Sequence, residues 1–74
     1  MRQYADLGGR SGVTAYDYGR TYIKVMFSNG SVYLYSYDSA GPERVEIMKA
    51  LADRGYGLNT FINQYARLAY ALHM

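Results

Sequence analysis

The sequence predicts an α+β domain, a three-stranded antiparallel meander packed against two C-terminal helices. Before Pro42, apolar and polar residues alternate with the period of about two that marks strands, and after Pro42 apolar residues recur with the helical period of about 3.6. Strand and helix patterns thus occupy separate parts of the chain, as they do in α+β folds.

The chain has 74 residues, no cysteine and a formal net charge of +2. At this length folding buries only about 60% of the surface of the unfolded chain, so one small core is expected. Residues 12–74 are predicted to form that single domain. The glycine-rich segment 1–11 shows no sustained periodicity and is predicted to be a flexible N-terminal arm. Small domains without cross-links commonly associate to bury more apolar surface, which makes a homodimer a candidate assembly.

The meander is predicted over residues 13–18, 21–28 and 31–37. The first turn comes from Asp17 to Arg20, where the aspartate can hydrogen-bond the backbone ahead of it and Gly19 can take a positive φ. The second turn is centred on Asn29-Gly30, a pair typical of β-hairpins, between arms rich in β-branched and aromatic residues.

Two registers of this second hairpin are compatible with the sequence. A two-residue loop at Asn29-Gly30 pairs Phe27 with Val32 and separates the apolar residues of the first arm from the tyrosines of the second. A three-residue loop from Ser28 to Gly30, with a bulge at Gly30, places both sets on one face. The sets concerned are Ile23, Val25 and Phe27 on the first arm and Tyr33, Tyr35 and Tyr37 on the second. We favour the three-residue loop because it gives the small core more volume.

The first helix is predicted over Pro42–Arg54. Proline suits the first helical turn, where no backbone N–H is needed, and Glu43 complements the positive end of the helix dipole. Gly55 is predicted to end the helix in a left-handed conformation. The apolar side is predicted to hold Val45, Ile47, Met48, Leu51 and Ala52, and the solvated side Glu46, Lys49, Ala50 and Asp53.

The second helix is predicted from near Leu58 to about Leu72. Its apolar face is predicted to contain Leu58, Phe61, Ile62, Tyr65, Leu68, Ala69 and Leu72. The opposite face contains Asn59, Thr60, Asn63, Gln64, Arg67 and Tyr70. This polar face has amides and one cation but no acid, whereas an ordinary surface helix mixes glutamate and lysine, so we expect it to contact a ligand or partner.

No catalytic or metal chemistry is predicted. The serines lack a histidine near them in sequence, and the single histidine, His73, cannot form a zinc site alone. Glu43 and Glu46 fit a helix start and a surface pair better than a metal bridge. We therefore expect no enzyme activity, no cofactor and no metal. The sequence has no run of about 18 apolar residues, so no membrane partner is expected, and the absence of cysteine suits a cytoplasmic location.

Two motifs together resemble a known family. The first is F-x-N-G-x-V-Y-x-Y, from Phe27 to Tyr35, and the second is G-x-G-L-N-x-F-I-N with a later arginine and tyrosine, from Gly55 to Tyr70. Over roughly residues 11–72 the chain resembles the KTSC domain. That short family is named after the C-terminal extension of some lysyl-tRNA synthetases and also occurs as free-standing bacterial and phage proteins. The resemblance implies a family Y-x-Y motif at Tyr33 and Tyr35, implies no catalytic residues, and makes RNA a candidate ligand.

Two functions are compatible with these features. The first is a small non-enzymatic interaction module that self-associates or binds a protein, because tyrosine, methionine and arginine are enriched at interfaces. The second is weak RNA binding, in which cations bind phosphates, amides read base edges and tyrosines stack on unpaired bases. The candidate nucleic-acid-binding residues are Arg54, Tyr56, Asn59, Asn63, Arg67, Tyr70 and, on a strand, Lys24.

Overall fold

In the computed structural model, which describes residues 1–74, one five-stranded antiparallel sheet packs against three helices. The strands lie in sequence order and are β1 (Arg2–Gln3), β2 (Val13–Gly19), β3 (Tyr22–Phe27), β4 (Val32–Ser36) and β5 (Leu72–His73). The helices are α1 (Tyr37–Ala40), α2 (Pro42–Arg54) and α3 (Leu58–Phe61), which continues as a π-helical segment, Ile62–Ala66. The α+β class is confirmed. The sheet has two more edge strands than the predicted meander, and the fold has one more short helix than predicted. None of the helices has the length and apolar character needed to cross a membrane.

The hairpin of β3 and β4 has the three-residue loop. Tyr33 pairs with Val25. The N–H of Phe27 donates to the carbonyl of Ser31 at 2.8 Å, and the N–H of Gly30 donates to the carbonyl of Phe27 at 2.9 Å. Gly30 has a φ of 88°, a conformation that glycine adopts without strain. Tyr33 and Tyr35 therefore share the face of the sheet that carries Ile23 and Val25.

The third predicted strand ends one residue early, at Ser36. The side chain of Ser36 accepts a hydrogen bond from the N–H of Ser39 at 3.0 Å. In return, the side chain of Ser39 accepts a hydrogen bond from the N–H of Ser36 at 3.0 Å. This reciprocal capping starts α1, so Tyr37 becomes the first residue of a helix instead of the last residue of a strand.

The core lies between the helices and the inner sheet face, which we define by Tyr16, Ile23, Val25 and Tyr35. Among fully buried side chains Tyr35 is the largest, with 1% of its surface exposed. Helices α2 and α3 with the π segment supply the opposite wall through Val45, Met48, Ala52, Leu58 and Ile62. The other side, the outer sheet face, is only partly covered and carries Tyr22, Lys24, Met26, Val32 and Leu34.

Lys49 of α2 binds the sheet instead of solvent. The residue is 9% exposed, and its Nζ donates to Glu46 Oε2 at 2.7 Å and to the carbonyl of Arg20 at 2.8 Å. The prediction of a solvated Lys49 is wrong because the turn between β2 and β3 brings the carbonyl of Arg20 within reach of the long side chain. Ile47, predicted to be buried, is 45% exposed, because the buried side of α2 is centred on Val45 and Met48.

Asp53, near the end of α2, joins three parts of the fold. It accepts hydrogen bonds from the hydroxyls of Tyr16 at 2.8 Å and Tyr18 at 2.7 Å, both on β2. Its Oδ1 also lies 3.3 Å from the guanidinium of Arg2 on β1. Hydrogen bonds from Tyr18 and Tyr16 lower the pKa of Asp53, and the charge of Arg2 adds to this effect. Asp53 therefore stabilises the docking of α2 on the first two strands.

The helix predicted over 58–72 ends early. A π turn contains more residues than an α turn, so the π segment changes which side chains face the sheet. The buried side of α3 and the π segment holds three residues that are four positions apart, Leu58, Ile62 and Ala66. The chain then returns to the sheet as β5. The predicted apolar face is therefore wrong at three exposed residues, Tyr65, Leu68 and Leu72.

Residues 1–11 pack on the domain instead of extending from it. Arg2 and Gln3 pair with β2, and Tyr4 is 3% exposed, with its hydroxyl accepting the N–H of Leu58 at 3.3 Å. The N–H of Leu7 donates to the carbonyl of Gly55 at 2.8 Å. This segment thus has a docked structure that its glycine content did not indicate, because Tyr4 anchors it in the core.

Candidate ligand-binding cleft

A cleft of about 450 Å³ opens between the β3–β4 hairpin and α3. Its size falls within the range of about 300–1,000 Å³ typical of ligand pockets. We call it the tyrosine cleft, and its principal polar lining residues are Tyr33, Tyr35, Asn59, Asn63, Arg67 and Tyr70. Apolar lining comes from Phe27, Ile62 and Leu68. The cleft can therefore accommodate one ligand the size of a nucleotide.

Three elements position these side chains. The three-residue hairpin loop turns Tyr33 and Tyr35 toward the helices. Asn59 on α3 and Asn63 on the π segment are four residues apart and line the same wall, and π segments are frequent at functional sites. Tyr70 is brought over the hairpin by the return of the chain, where the N–H of Ala71 donates to the carbonyl of Leu34 at 2.7 Å.

Aromatic contacts hold Tyr33 in place. The ring of His73 stacks on it with centroids 4.2 Å apart and planes 3° from parallel. Tyr70 meets it edge-on at 4.9 Å, and Phe27 does so at 5.6 Å. Such pairs contribute about 0.5–1.5 kcal/mol each beyond the area that they bury. Tyr70, which is 37% exposed, is the tyrosine of this group that remains accessible to a ligand, and the ring of His73 is exposed beside it.

The principal polar groups of the tyrosine cleft have no partners within the protein. None of its six principal polar side chains makes a side-chain hydrogen bond or an ion pair within the chain. Tyrosines elsewhere in the core do: Tyr4 binds the N–H of Leu58, Tyr16 and Tyr18 bind Asp53, and Tyr37 binds Glu46. No polar side-chain atom is both fully buried and unpaired, so the cleft groups face solvent. A ligand can bind them without breaking a hydrogen bond inside the protein.

Burial changes the acidity of the innermost cleft residue. Removal from water is the main reason why the pKa of Tyr35 is raised to about 12, and the neighbouring phenols of Tyr33 and Tyr70 contribute to this rise. At neutral pH its hydroxyl is therefore protonated and can donate a hydrogen bond to an acceptor in the cleft.

Arg67 gives the tyrosine cleft a positive charge. It is exposed, has no acidic partner, and is the one ionised side chain among the 12 lining residues at neutral pH. None of those residues is an aspartate or glutamate. The cleft therefore favours ligands that combine a flat ring and hydrogen-bonding edges with a negative charge.

The structure brings together four of the seven predicted binding residues, Asn59, Asn63, Arg67 and Tyr70, in the tyrosine cleft. The predicted polar face is not continuous, because Thr60 of α3 and Gln64 of the π segment line a different cavity. Lys24 is not among the cleft residues: it lies on the outer sheet face, with Asp17 and Leu34 as its neighbours on the adjacent strands. Lys24 was predicted as a second candidate on a strand face, and strand alternation places it on the side of the sheet away from the helices.

Some cleft residues carried no signal as binding residues in the sequence. Phe27 was assigned to the core, although the cleft reaches its ring. Gly12 lies in the wall, where a Cβ atom would be 3.8 Å from Asn59 Nδ2 and 4.0 Å from Phe27 Cδ1. Tyr33 and Tyr35 entered only through the family motif. The hairpin register, once fixed, would have placed both tyrosines near the second helix.

A second cavity of about 460 Å³ lies on the other side of α3. We call it the arginine cavity, after Arg10 and Arg54 in its lining. Two of the predicted binding residues, Arg54 and Tyr56, are here, with the guanidinium carbon of Arg54 5.7 Å from the centroid of the Tyr56 ring. Asn59 lines both cavities.

The fold gathers no group of three or more histidine, cysteine, aspartate or glutamate side chains that could hold a metal ion. No family model, curated protein or solved structure matches this chain. The resemblance to the KTSC family therefore stays a prediction, carried by the motifs from Phe27 to Tyr35 and from Gly55 to Tyr70.

Proposed function

We propose that this domain is a small non-enzymatic binding module of the cytoplasm, related to the KTSC family, whose tyrosine cleft holds one nucleotide of an unpaired RNA strand. The observation that supports the proposal is the concentration of unused polar groups around an accessible tyrosine. Two amides, three phenols and one guanidinium line a single cleft and make no side-chain hydrogen bond or ion pair within the protein.

Each group has a part in this proposal. Asn59 and Asn63 carry both donors and acceptors and suit the edge of a base. The ring of Tyr70 is exposed and suits stacking, which contributes about 1–3 kcal/mol per base. The guanidinium of Arg67 suits the phosphate, and its exposure allows the strand to enter and leave.

The test is a titration of the chain with a short mixed-sequence RNA at several salt concentrations, with NMR chemical shifts of the backbone amides as the readout. We expect shifts at the cleft residues and weak binding that declines as salt rises. Arg67→Gln should reduce the slope of log K against log salt by about 0.7, the share of one phosphate contact on a single strand. Tyr70→Ala should weaken binding by about 1–3 kcal/mol and leave the slope unchanged, because stacking releases no counterion.

Arg44→Gln is the matched control. Arg44 is exposed on α2, lines neither cavity and has no ion pair. If Arg44→Gln and Arg67→Gln reduced the slope equally, binding would reflect the overall charge and not the cleft. Absence of any shift at millimolar RNA in low salt would refute the proposal.

A second candidate function, self-association, is supported by the outer sheet face. Met26 pairs with Val32 and Leu34 with Leu72 on this face, so that apolar side chains adjoin across three strands. Beside them Lys24 lies opposite Asp17 in the strand register, which gives the face one charge of each sign. Two copies related by a two-fold axis can therefore meet without like-charge repulsion. We propose a second copy of this chain as the occupant of this face.

A further inference from the structure

We propose that the tyrosine cleft and the arginine cavity form one groove across α3, and that this groove binds consecutive nucleotides of the same unpaired strand. The inference rests on the proposed function and extends it from one nucleotide to a path for the strand. It assigns the arginine cavity, and in particular Arg10, to ligand binding.

The two cavities meet at Gly12 and Asn59. Asn59 lines both of them, and the neighbouring residues Ser11 and Gly12 line one cavity each. A ligand that contacts the Asn59 amide from the tyrosine cleft therefore lies next to the entrance of the arginine cavity. The amide can bind two successive groups of a strand, because it has two donor hydrogens and an acceptor oxygen.

Gly12 leaves room beside Asn59, the residue that the two cavities share. Its φ lies outside the positive range that favours glycine, so the backbone conformation does not require this residue. A Cβ atom at this position would be 3.8 Å from Asn59 Nδ2, 3.9 Å from Asn59 Oδ1 and 4.0 Å from Phe27 Cδ1. Alanine would therefore fit at ordinary contact distance, whereas leucine would add three further carbon atoms next to Asn59 and Phe27.

The arginine cavity has the chemistry that a following nucleotide needs. Arg10 and Arg54 supply two cations against one acid, Asp6, whose Oδ1 already accepts the N–H of Ser11 at 3.1 Å. Arg10 makes no hydrogen bond or ion pair with its side chain. Two exposed rings offer stacking surfaces, Tyr56 at 55% and Tyr65 at 57%.

The experiment compares uridine oligonucleotides of one, two, four and six nucleotides with the complete chain, by amide shifts and fluorescence titration. From one to four nucleotides we expect affinity to rise at least about fivefold, the smallest gain expected from stacking one further base. Arg10→Gln should lower the salt slope for the tetranucleotide by about 0.7, whereas Arg44→Gln should not change it.

Gly12→Leu tests the passage itself. It should reduce the affinity for the tetranucleotide to that for the mononucleotide, whereas Gly12→Ala should retain most of the gain with length. If the leucine variant does not fold, the effect of Arg10→Gln decides the matter alone.

The outcomes separate the two proposals. If the mononucleotide binds at the tyrosine cleft but affinity does not grow with length and Arg10→Gln leaves the slope unchanged, the groove is refuted and the single-nucleotide site stands. If no oligonucleotide produces shifts at either cavity, both are refuted.

Discussion

Gly55→Ala tests how firmly the N-terminal segment is docked at the end of α2. Gly55 has a φ of 76°, and a Cβ atom there would lie 2.6 Å from the Cβ of Ala5. The same residue accepts the N–H of Leu7 through its carbonyl at 2.8 Å. A methyl group at position 55 therefore forces residues 5–7 away from the helix.

The expected loss has two parts. The left-handed conformation costs a non-glycine residue about 1–2 kcal/mol. The contact with Ala5 adds the cost of overpacking, about 1–3 kcal/mol, because real Cβ atoms do not approach so closely. The free energy of unfolding should thus fall by about 2–5 kcal/mol, a large fraction of the total for a small domain.

Gly30→Ala is the matched control, because Gly30 also has a positive φ, 88°, but no atom within 4 Å of the position of its Cβ. It should cost only the conformational part, about 1–2 kcal/mol. Urea unfolding of both variants, each with and without Ala5→Gly, gives two double-mutant cycles. We expect a coupling of about 1–3 kcal/mol between positions 5 and 55 and none between 5 and 30. Equal losses at the two glycines, with no rescue by Ala5→Gly, would show that the N-terminal segment is not packed against Gly55.

Two further outcomes are expected. The free energy of unfolding should fall at both ends of the pH range. It should fall as pH drops below the ordinary aspartate pKa of about 3.8, because two tyrosine hydroxyls lower the pKa of Asp53 in the folded protein. It should also fall as pH rises from about 10 to about 12, because burial raises the pKa of Tyr35. Urea midpoints across pH would show this, and an alkaline loss that Tyr35→Phe leaves unreduced would contradict it. We expect sedimentation to detect a dimer at roughly tens of micromolar, and we expect salt to change the dimer fraction little, because the surface buried between the copies is apolar. Leu34→Lys on the outer sheet face should lower this dimer fraction. Monomeric wild type at about 1 mM would exclude the dimer, since interfaces of standard size bind far more tightly.

The parts of the fold that local signals specify were predictable from the sequence. Helix α2 has its predicted bounds, Pro42–Arg54, because a proline at the start and a left-handed glycine at the end both act within one turn. The register of the hairpin followed from the volume of a small core, because only one register places Tyr35 inside.

Features that depend on distant contacts were not predictable. The edge strands β1 and β5 have two residues each, too few for a periodicity. The π segment changes the helical period that the prediction of the second helix assumed, and so moved Tyr65 and Leu68 to the surface. Asn59, Asn63 and Arg67, which line the cleft, could be singled out in the sequence because their face lacks acids. Gly12 could not be singled out, because its place in the cleft wall depends on a neighbour 47 positions away, at Asn59.

Both outermost strands of the sheet are also the ends of the chain described by the structure. β1 covers part of the edge of β2, and β5 covers the edge of β4, where the N–H of Met74 donates to the carbonyl of Val32 at 2.7 Å. Removing a few residues from either end would leave a longer neighbouring strand with unpaired backbone groups, which is a template for aggregation between molecules. The two short edge strands thus protect β2 and β4 from pairing with another molecule, and we expect shortening of either end to promote aggregation even where the core is untouched.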